Sequence, residues 1–441
     1  MSTVEIKIVS IFFMKNSPLN PKTELFRWGP APGRPIYVSY FMESIAKRTH
    51  KIYKYKWPEF LFCFVNGQMT FVCNNDELVA QGKKYFDNLI MNDKTFALIK
   101  KRYTKATGDL EKVENKITNL NKLNNSQLKQ LYLDFYEKYL TFWDHGLVPE
   151  IANWGGEVIL KDSLKKAPTR DFTLVYEKLS APSGLSFYKQ EELDLLRVKK
   201  GEAGLAEHVK KYFWINNSYL DSTVLTDKFF RRRLAELDKL EVDQEIKKIS
   251  NFISDSKTDK EKYLKKYKLS SDVKKISDRL GYCIYWQDER KGNIFKANHY
   301  IKLFLEEFNR RYNCPLSHLE QYWCWELPNL LAGKKVSEKE MKNRLKEQAG
   351  YMIAEKEKNE VITSKEFATK VRPILQMNVD KKVSEVRGVC VSTGYGVVTG
   401  KVKILLDPSD FDKMKTGDIL VAPMTSPEYI LAMRKAVAVV T

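Results

Sequence analysis

The chain has 441 residues, of which 43% are hydrophobic, and its formal net charge at pH 7 is +19. This length predicts two or three domains, and the apolar content is enough to build their cores. The six cysteines form no Cys-x-x-Cys pair, which argues against a zinc site or a disulfide scaffold and favours the cytoplasm. No apolar run is long enough for a membrane-spanning helix, so we expect no membrane association.

The positive charge raises the question of nucleic-acid binding. The densest basic groups are Arg231, Arg232 and Arg233 and the lysines of residues 262–268. Elsewhere lysines alternate with Glu and Asp, as in residues 338–358, a pattern typical of a solvated helix surface. We therefore expect attraction to anionic nucleotides or phosphorylated partners at most, and no specific nucleic-acid partner.

Residues 1–92 predict a mixed α/β region. The mostly apolar residues 6–14 indicate a first strand. Two apolar β-type runs, 61–65 and 68–73, flank Asn66 and Gly67, and this dipeptide is a strong β-hairpin signal. Asn75 can cap a helix over residues 76–90.

The Pro- and Gly-rich residues 28–35 predict a rigid loop before a helix at 37–46. The prolines and glycines of this loop could simply turn the chain. Arg34, at the start of the helix, could instead face an anion, and it is therefore a candidate substrate-binding residue.

Residues 93–375 predict a mainly helical region that could bind a substrate. The apolar spacing indicates helices at 128–145, 205–213, 285–312, 336–356 and 364–371. Pro315 and Pro373 follow two of these segments, as is typical after a helix end. The short polar stretch 376–382 predicts a hinge.

Four residues of the chain are candidates for substrate binding: Arg34, Trp154, His208 and Trp214. His208 lies on an apolar helix face, where a single histidine is more often a packed core residue. Trp154 closely follows Trp143, Asp144, His145 and Gly146. This cluster could border an acceptor pocket, or it could simply be a helix end at Gly146. We find no Ser-His-Asp set, no metal-type histidine pair and no paired carboxylates, so we predict neither catalytic nor metal-binding residues.

The most specific pattern lies in residues 385–441. Strand-type runs at 387–392 and 397–405 are interrupted by Gly394, Gly396 and Gly400. A turn at Gly417 and Asp418 precedes a strand at 419–422. Residues 425–428 (Thr-Ser-Pro-Glu) have the composition of a helix start, and 437–440 predicts another strand. In this order and spacing, the pattern resembles the mobile phosphohistidine domain of the phosphoenolpyruvate (PEP)-utilising enzymes.

The resemblance implies a swivelling β/α domain that carries a phosphoryl group on a histidine. In the family, a Gly-Gly stretch and a motif containing that histidine follow soon after the position that Thr441 matches. None of the five histidines has such a context, so we expect an incomplete domain that lacks its carrier histidine.

A nucleotide site is not visible in the sequence. No Walker-type loop occurs, and residues 1–380 do not resemble an ATP-grasp module. The resemblance therefore implies ATP and Mg for a partner or a missing domain, with a separate ATP-binding subunit as possible partner. The small-molecule acceptor stays unknown.

The sequence thus predicts a mainly helical α+β protein. It should have a small α/β N-terminal region, a helical middle region and a partial swivelling β/α domain at residues 385–441. We interpret it as a component of a PEP-utilising phosphotransferase that is inactive alone. The alternative is a non-catalytic binding or scaffold protein that retains the fold.

Overall fold

The structure is a computed structural model that describes residues 19–21, 23–167, 171–237, 241–353, 356–376, 385, 396–405, 408–422 and 429–441. Several predicted features lie outside these residues. They are the first strand at 6–14, almost all of the hinge at 376–382, the strand at 387–392, Gly394 and the helix start at 425–428.

Five antiparallel strands form the larger sheet, in the order β1-β3-β2-β4-β5. Their bounds are β1 Leu25–Pro32, β2 Phe60–Val65, β3 Gln68–Asn74, β4 Glu347–Ile353 and β5 Lys358–Thr363. The predicted hairpin is confirmed: β2 and β3 meet at Asn66 and Gly67, with φ angles of 50° and 78°. Such positive φ angles suit the tight turn of a two-residue hairpin.

Two predictions about this sheet were wrong. Residues 28–35 were predicted as a loop, but most of them belong to β1, whose register against β3 shifts between Trp28 and Ala31. β1 is an edge strand, and edge strands tolerate proline because one of their sides needs no partner.

The second error concerns residues 336–356, which were predicted as one helix. Only Glu338–Arg344 is helical, and β4 follows it. A short buried apolar run cannot be assigned to helix or strand from periodicity alone. Pairing decides here, because β4 lies between β2 and β5.

Most of the remaining chain is helical. The helices of the body are α1 (Pro35–Ser44), α2 (His50–Tyr53), α3 (Asn75–Tyr85), α4 (Asp93–Glu114), α5 (Asn125–Gly146), α6 (Val148–Lys165), α7 (Phe172–Ser180), α8 (Phe187–Lys199), α9 (Leu205–Tyr212), α10 (Asp227–Glu236), α11 (Val242–Lys266), α12 (Ser271–Tyr312), α13 (Leu316–Leu319), α14 (Leu327–Leu331), α15 (Glu338–Arg344), α16 (Ser364–Glu366) and α17 (Arg372–Leu375). Turns of π-helix follow α1, α3 and α16 at Ile45–Thr49, Phe86–Ile90 and Phe367–Val371. Short 3-10 turns lie at Leu120–Lys122 and Cys324–Glu326.

The helices predicted around 128–145, 205–213 and 285–312 are confirmed, and the last begins earlier, at Ser271. The cap of α3 is Asn74 rather than Asn75, because the Asn74 side chain accepts a hydrogen bond from the Glu77 amide at 2.9 Å. No described helix combines the length and the apolar composition that a membrane span requires.

The main core joins one face of the five-stranded sheet to the helices. Its members include the completely buried rings of Tyr37, Phe60, Phe135, Trp286 and Trp323. This apolar packing makes the sheet and helices one structural unit, which we call the body.

Two helices of the body approach each other unusually closely. A Cβ atom on Gly155 of α6 would lie 2.1 Å from the carbonyl carbon of Gly82 in α3. Only glycine allows this separation of the two backbones, and the neighbouring Trp154 of α6 contacts Phe26 of β1.

The described part of residues 385–441 contains a second, three-stranded parallel sheet in the order β6-β7-β8. The bounds are β6 Val402–Ile404, β7 Asp418–Val421 and β8 Ala436–Val440, with a 3-10 turn at Pro408–Lys413 and helix α18 at Ile430–Met433. This sheet has its own apolar core, built around Leu405, Leu420 and Tyr429. The predicted α+β, mainly helical fold class is confirmed.

Candidate functional site

A cavity of about 170 Å³ lies in the body, between the five-stranded sheet and the helices. Strands β1, β2 and β3 form one wall, and helices α1, α3, α5, α6 and α12 form the other. The cavity thus lies where the predicted N-terminal region packs against the predicted helical region.

Aromatic rings dominate both walls. Phe26, Phe62 and Phe71 face the cavity from the sheet, and Trp143 and Trp154 face it from α5 and α6. The rings of Phe26 and Trp154 meet edge to face, with centroids 4.6 Å apart. Such contacts hold the rings in fixed positions, so the cavity offers rigid apolar surfaces.

The lining residues include one pair of opposite charges, Arg290 of α12 and Glu150 of α6. Arg290 is only 7% exposed, and its Nη1 donates a hydrogen bond to the Gly146 carbonyl at 2.8 Å. Its Nη2 donates to a carboxylate oxygen of Glu150. The guanidinium carbon lies 5.5 Å from the centre of the Trp143 ring. These contacts fix the orientation of the guanidinium beside the aromatic walls.

Tyr219 adds a third polar group to the lining. Within the described part of the chain, no hydrogen bond involves the Tyr219 hydroxyl. Burial raises the pKa of Tyr219 to about 12, with Arg290 opposing the rise and Glu150 adding to it. The phenol is therefore neutral at pH 7 and can either donate or accept a hydrogen bond.

Arg290 stays charged in this environment. Burial alone would lower its pKa, but the charge of Glu150 and its hydrogen bond to the guanidinium outweigh burial and raise the pKa of Arg290 above its usual value. The cavity therefore combines an apolar aromatic chamber with one polar end, formed by Arg290, Glu150 and Tyr219. This arrangement suits binding, because the polar groups can orient a ligand while the rings remove it from water.

Of the four predicted substrate-binding residues, Trp154 lines the cavity and the other three do not. Arg34 is close to it: its amide donates to the Tyr219 carbonyl at 2.8 Å, while its Nε lies 3.6 Å from a carboxylate oxygen of Glu320. Whether these residues contact a substrate stays a prediction.

His208 and Trp214 belong to packed regions of the body. The Nε2 atom of His208 lies 3.0 Å from Glu191, which also accepts a 2.7 Å hydrogen bond from Arg233. Trp214 donates its indole N–H to the Lys211 carbonyl at 3.0 Å and packs against the ring of Phe187.

Of the cluster that runs from Trp143 to Trp154, the two tryptophans line the cavity, and Asp144 and His145 do not. Asp144 accepts hydrogen bonds from Ser44 at 2.6 Å and from Arg48 at 2.8 Å, and burial raises its pKa to about 6. His145 pairs with the hydroxyl of Tyr53 at 2.6 Å, and burial lowers its pKa to about 4. Helix α5 ends at Gly146, as the simpler interpretation of this cluster predicted.

The sequence analysis missed Glu150, Tyr219 and Arg290 as site residues. One signal was present for Arg290, since it continues the helical spacing of Trp286 and Ile294 on what is otherwise an apolar face of α12. No comparable signal marks Tyr219, which lies outside any helix or strand.

The described part of residues 396–441 contains turns and a small sheet. Gly396 and Gly417 have φ angles of 101° and 96°, which favour glycine. A Cβ atom on Gly400 would lie 2.4 Å from the Gly417 carbonyl oxygen, and Asp418 closes the turn by accepting a 2.8 Å hydrogen bond from the Lys415 amide. Gly400 therefore lets the chain before β6 pass close to Gly417, the residue before β7.

Among the described residues, no group of three or more His, Cys, Asp or Glu side chains could hold a metal ion. The described part of the chain therefore does not fit a magnesium site built from several carboxylates.

No family model matches the chain. Segments of it are similar to curated proteins. One is the probable phosphoenolpyruvate synthase of Methanocaldococcus jannaschii, which is 40% identical over 80 residues, 18% of this chain and 6% of the relative. The phosphoenolpyruvate synthase of Pyrococcus furiosus is 46% identical over 55 residues, 12% of this chain and 6% of the relative.

The probable phosphoenolpyruvate synthase of Staphylothermus marinus is 40% identical over 83 residues, 18% of this chain and 10% of the relative. The matched segments thus span no more than about a tenth of these three relatives' own length. Over a segment of its sequence, the chain is therefore similar to phosphoenolpyruvate synthases.

Proposed function

We propose that this chain is a component of a PEP-utilising-type phosphotransferase. Residues 385–441 would form part of the domain that carries the phosphoryl group, and the body would bind the small molecule that exchanges it. The observation that carries this proposal is the similarity to phosphoenolpyruvate synthases, at 40% identity over 80 residues in one relative.

Two structural observations support the division of roles. The parallel sheet of β6, β7 and β8 has its own apolar core, as a unit that moves between two sites requires. The aromatic cavity lies in the body, between its sheet and its helices. A carrier domain needs such a separate binding site, because the phosphoryl group must be delivered to a bound compound.

Histidine suits the role of carrier because its neutral ring is a nucleophile near pH 7. In this proposal, none of the five histidines of the chain is the carrier. His145, for example, uses its Nδ1 in the contact with Tyr53, and His208 is buried beside Glu191. A separate ATP-binding subunit or domain would supply the phosphoryl group, with ATP and Mg bound there.

A segment exchange tests the carrier role. In the Pyrococcus furiosus synthase, the stretch that aligns with residues 385–441 of this chain is replaced by those residues. We expect the hybrid to keep ATP-dependent formation of phosphoenolpyruvate, because the replaced segment would have the same structural role. A second hybrid carries Gly417→Val, which strains a backbone with a φ angle of 96°, and should lose most of that activity.

The thermal unfolding of each hybrid is measured beside its activity. A first hybrid that is folded and inactive would contradict the proposal and favour a non-catalytic binding or scaffold role. Equal activity in both hybrids would show that the exchanged segment has no role in transfer.

A further inference from the structure

The size of the cavity limits what it can hold. Its volume is about 170 Å³. An apolar cavity of about 150 Å³ in another protein binds benzene. The part of a ligand that this cavity can enclose is therefore compact, about one or two rings.

The walls select the shape of the ligand. Phe26 and Trp154 hold each other edge to face at 4.6 Å, and Phe41 contacts Trp143 at 5.8 Å between centroids. Flat ring faces packed in this way accept another flat ring at low cost, because offset stacking and edge contacts are both open to it. A puckered aliphatic ring of equal volume fits such walls less well.

The polar end selects the charge of the ligand. Glu150 neutralises Arg290, and among the described residues these are the only charged side chains that line this cavity. A carboxylate or phosphate in the cavity would bring an extra negative charge into a largely apolar space without a free cation to balance it. A neutral hydrogen-bonding group meets no such penalty, and the Tyr219 hydroxyl has no other partner among the described residues.

The cavity is accessible from solvent. Trp28, which lines it, is 37% exposed, and the side chain of Glu150 is 34% exposed. A small ligand can therefore enter without unfolding of the body.

We propose that this cavity binds a neutral, flat aromatic compound of one or two rings, with a hydroxyl, carbonyl or amide group directed at Arg290, Glu150 and Tyr219. This inference rests on the proposed function only in identifying that compound as the unphosphorylated form of the small molecule of phosphoryl transfer. Binding itself depends on the cavity alone.

Three probes of similar size test shape and charge separately. Benzamide is flat and neutral, benzoate is flat and anionic, and cyclohexanecarboxamide is neutral but not flat. Their dissociation constants for the 441-residue chain are measured by ligand-observed NMR titration at pH 7.5. We expect benzamide to bind at least about tenfold more tightly than either of the other two.

A pair of variants on one helix tests the polar end. Glu150→Gln removes the charge that balances Arg290, so we expect the affinity for benzoate to rise about tenfold and the preference for benzamide to shrink or reverse. Glu157→Gln is the matched control, because Glu157 also lies on α6 but does not line the cavity. It should bind all three probes as the unchanged chain does.

Three results would overturn the inference: no benzamide binding up to its solubility, tighter binding of benzoate by the unchanged chain, or equal probe affinities in the two variants. The outcome is independent of the segment exchange. A chain that binds benzamide as expected while the hybrid synthase is inactive would keep the ligand class and remove the phosphotransferase role.

Discussion

The contact between α3 and α6 gives a prediction with a built-in control. Gly155→Ala places a methyl group 2.1 Å from the carbonyl carbon of Gly82 and 2.1 Å from the amide nitrogen of Lys83. These are backbone atoms, so no side-chain rotation can relieve the overlap and the two helices must separate. Gly108→Ala is the control, because Gly108 also lies within a helix and its added methyl group would meet nothing within 4 Å.

Both variants gain helix propensity, about 1 kcal/mol for glycine to alanine in a helix interior. Only Gly155→Ala also pays for overpacking, which typically costs about 1–3 kcal/mol. The propensity terms cancel in the comparison. We therefore expect the free energy of unfolding of Gly155→Ala to be about 1–3 kcal/mol lower than that of Gly108→Ala, with backbone overlap favouring the upper end.

The assay is urea unfolding of both variants and of the unchanged chain, followed by far-UV circular dichroism and tryptophan fluorescence. The same samples are titrated with benzamide, because α6 carries Glu150 and Trp154 and a displaced α6 changes the cavity. Gly155→Ala should bind benzamide more weakly. Unfolding free energies of the two variants within about 0.5 kcal/mol of each other would refute the reasoning, because substitutions at the protein surface typically have effects of that size.

Three further predictions concern titration, phosphorylation and charge. Burial raises the pKa of the Glu114 carboxyl to about 7; Lys296 opposes this rise and Glu111 adds to it. The folded state therefore keeps a proton that the unfolded state loses above about pH 4.5. As pH rises from 4.5 to 7, the unchanged chain should lose stability relative to Glu114→Gln, by at most about 3 kcal/mol. Urea unfolding measures this, and a difference in unfolding free energy that stays constant between pH 4 and pH 8 would contradict it. Incubation of the chain alone with labelled phosphoenolpyruvate or labelled ATP should leave no acid-labile phosphate, and stoichiometric label on one of its five histidines would exclude our assignment of the carrier. Filter binding of RNA and DNA should be weak at physiological salt and should fall further as salt rises. Tight binding that is lost when Arg231 and Arg232 are changed to Ala would support the nucleic-acid hypothesis. Arg233 is left unchanged in this test because it donates a hydrogen bond to the buried Glu191.

Local sequence determined the elements whose causes are local. The hairpin at Asn66 and Gly67 was predictable because two adjacent residues must adopt positive φ angles, which this dipeptide tolerates. The long helix that ends at Tyr312 was predictable from its apolar spacing and from the proline that follows at 315. The order of glycines and apolar runs in residues 385–441 is also a local pattern, and the family resemblance could therefore be seen in the sequence.

Strand β4 depended on partners far away in the chain. Phe60 of β2 pairs with Met352 of β4, nearly three hundred positions later. The apolar run of β4 is compatible with a buried helix turn as well as with a strand. It forms a strand because its backbone pairs with the free edge of β2.

The cavity depended on tertiary structure even more. Trp154 was recognisable as an aromatic residue near a polar cluster, but its neighbours come from separate parts of the chain. Arg290 reaches the Gly146 carbonyl across 144 positions, and Tyr219 comes from a third segment. Composition and periodicity describe one element at a time, whereas a binding site consists of distances between elements. Those distances are set by packing, such as the close approach of Gly82 and Gly155, and packing exists only once the chain has folded.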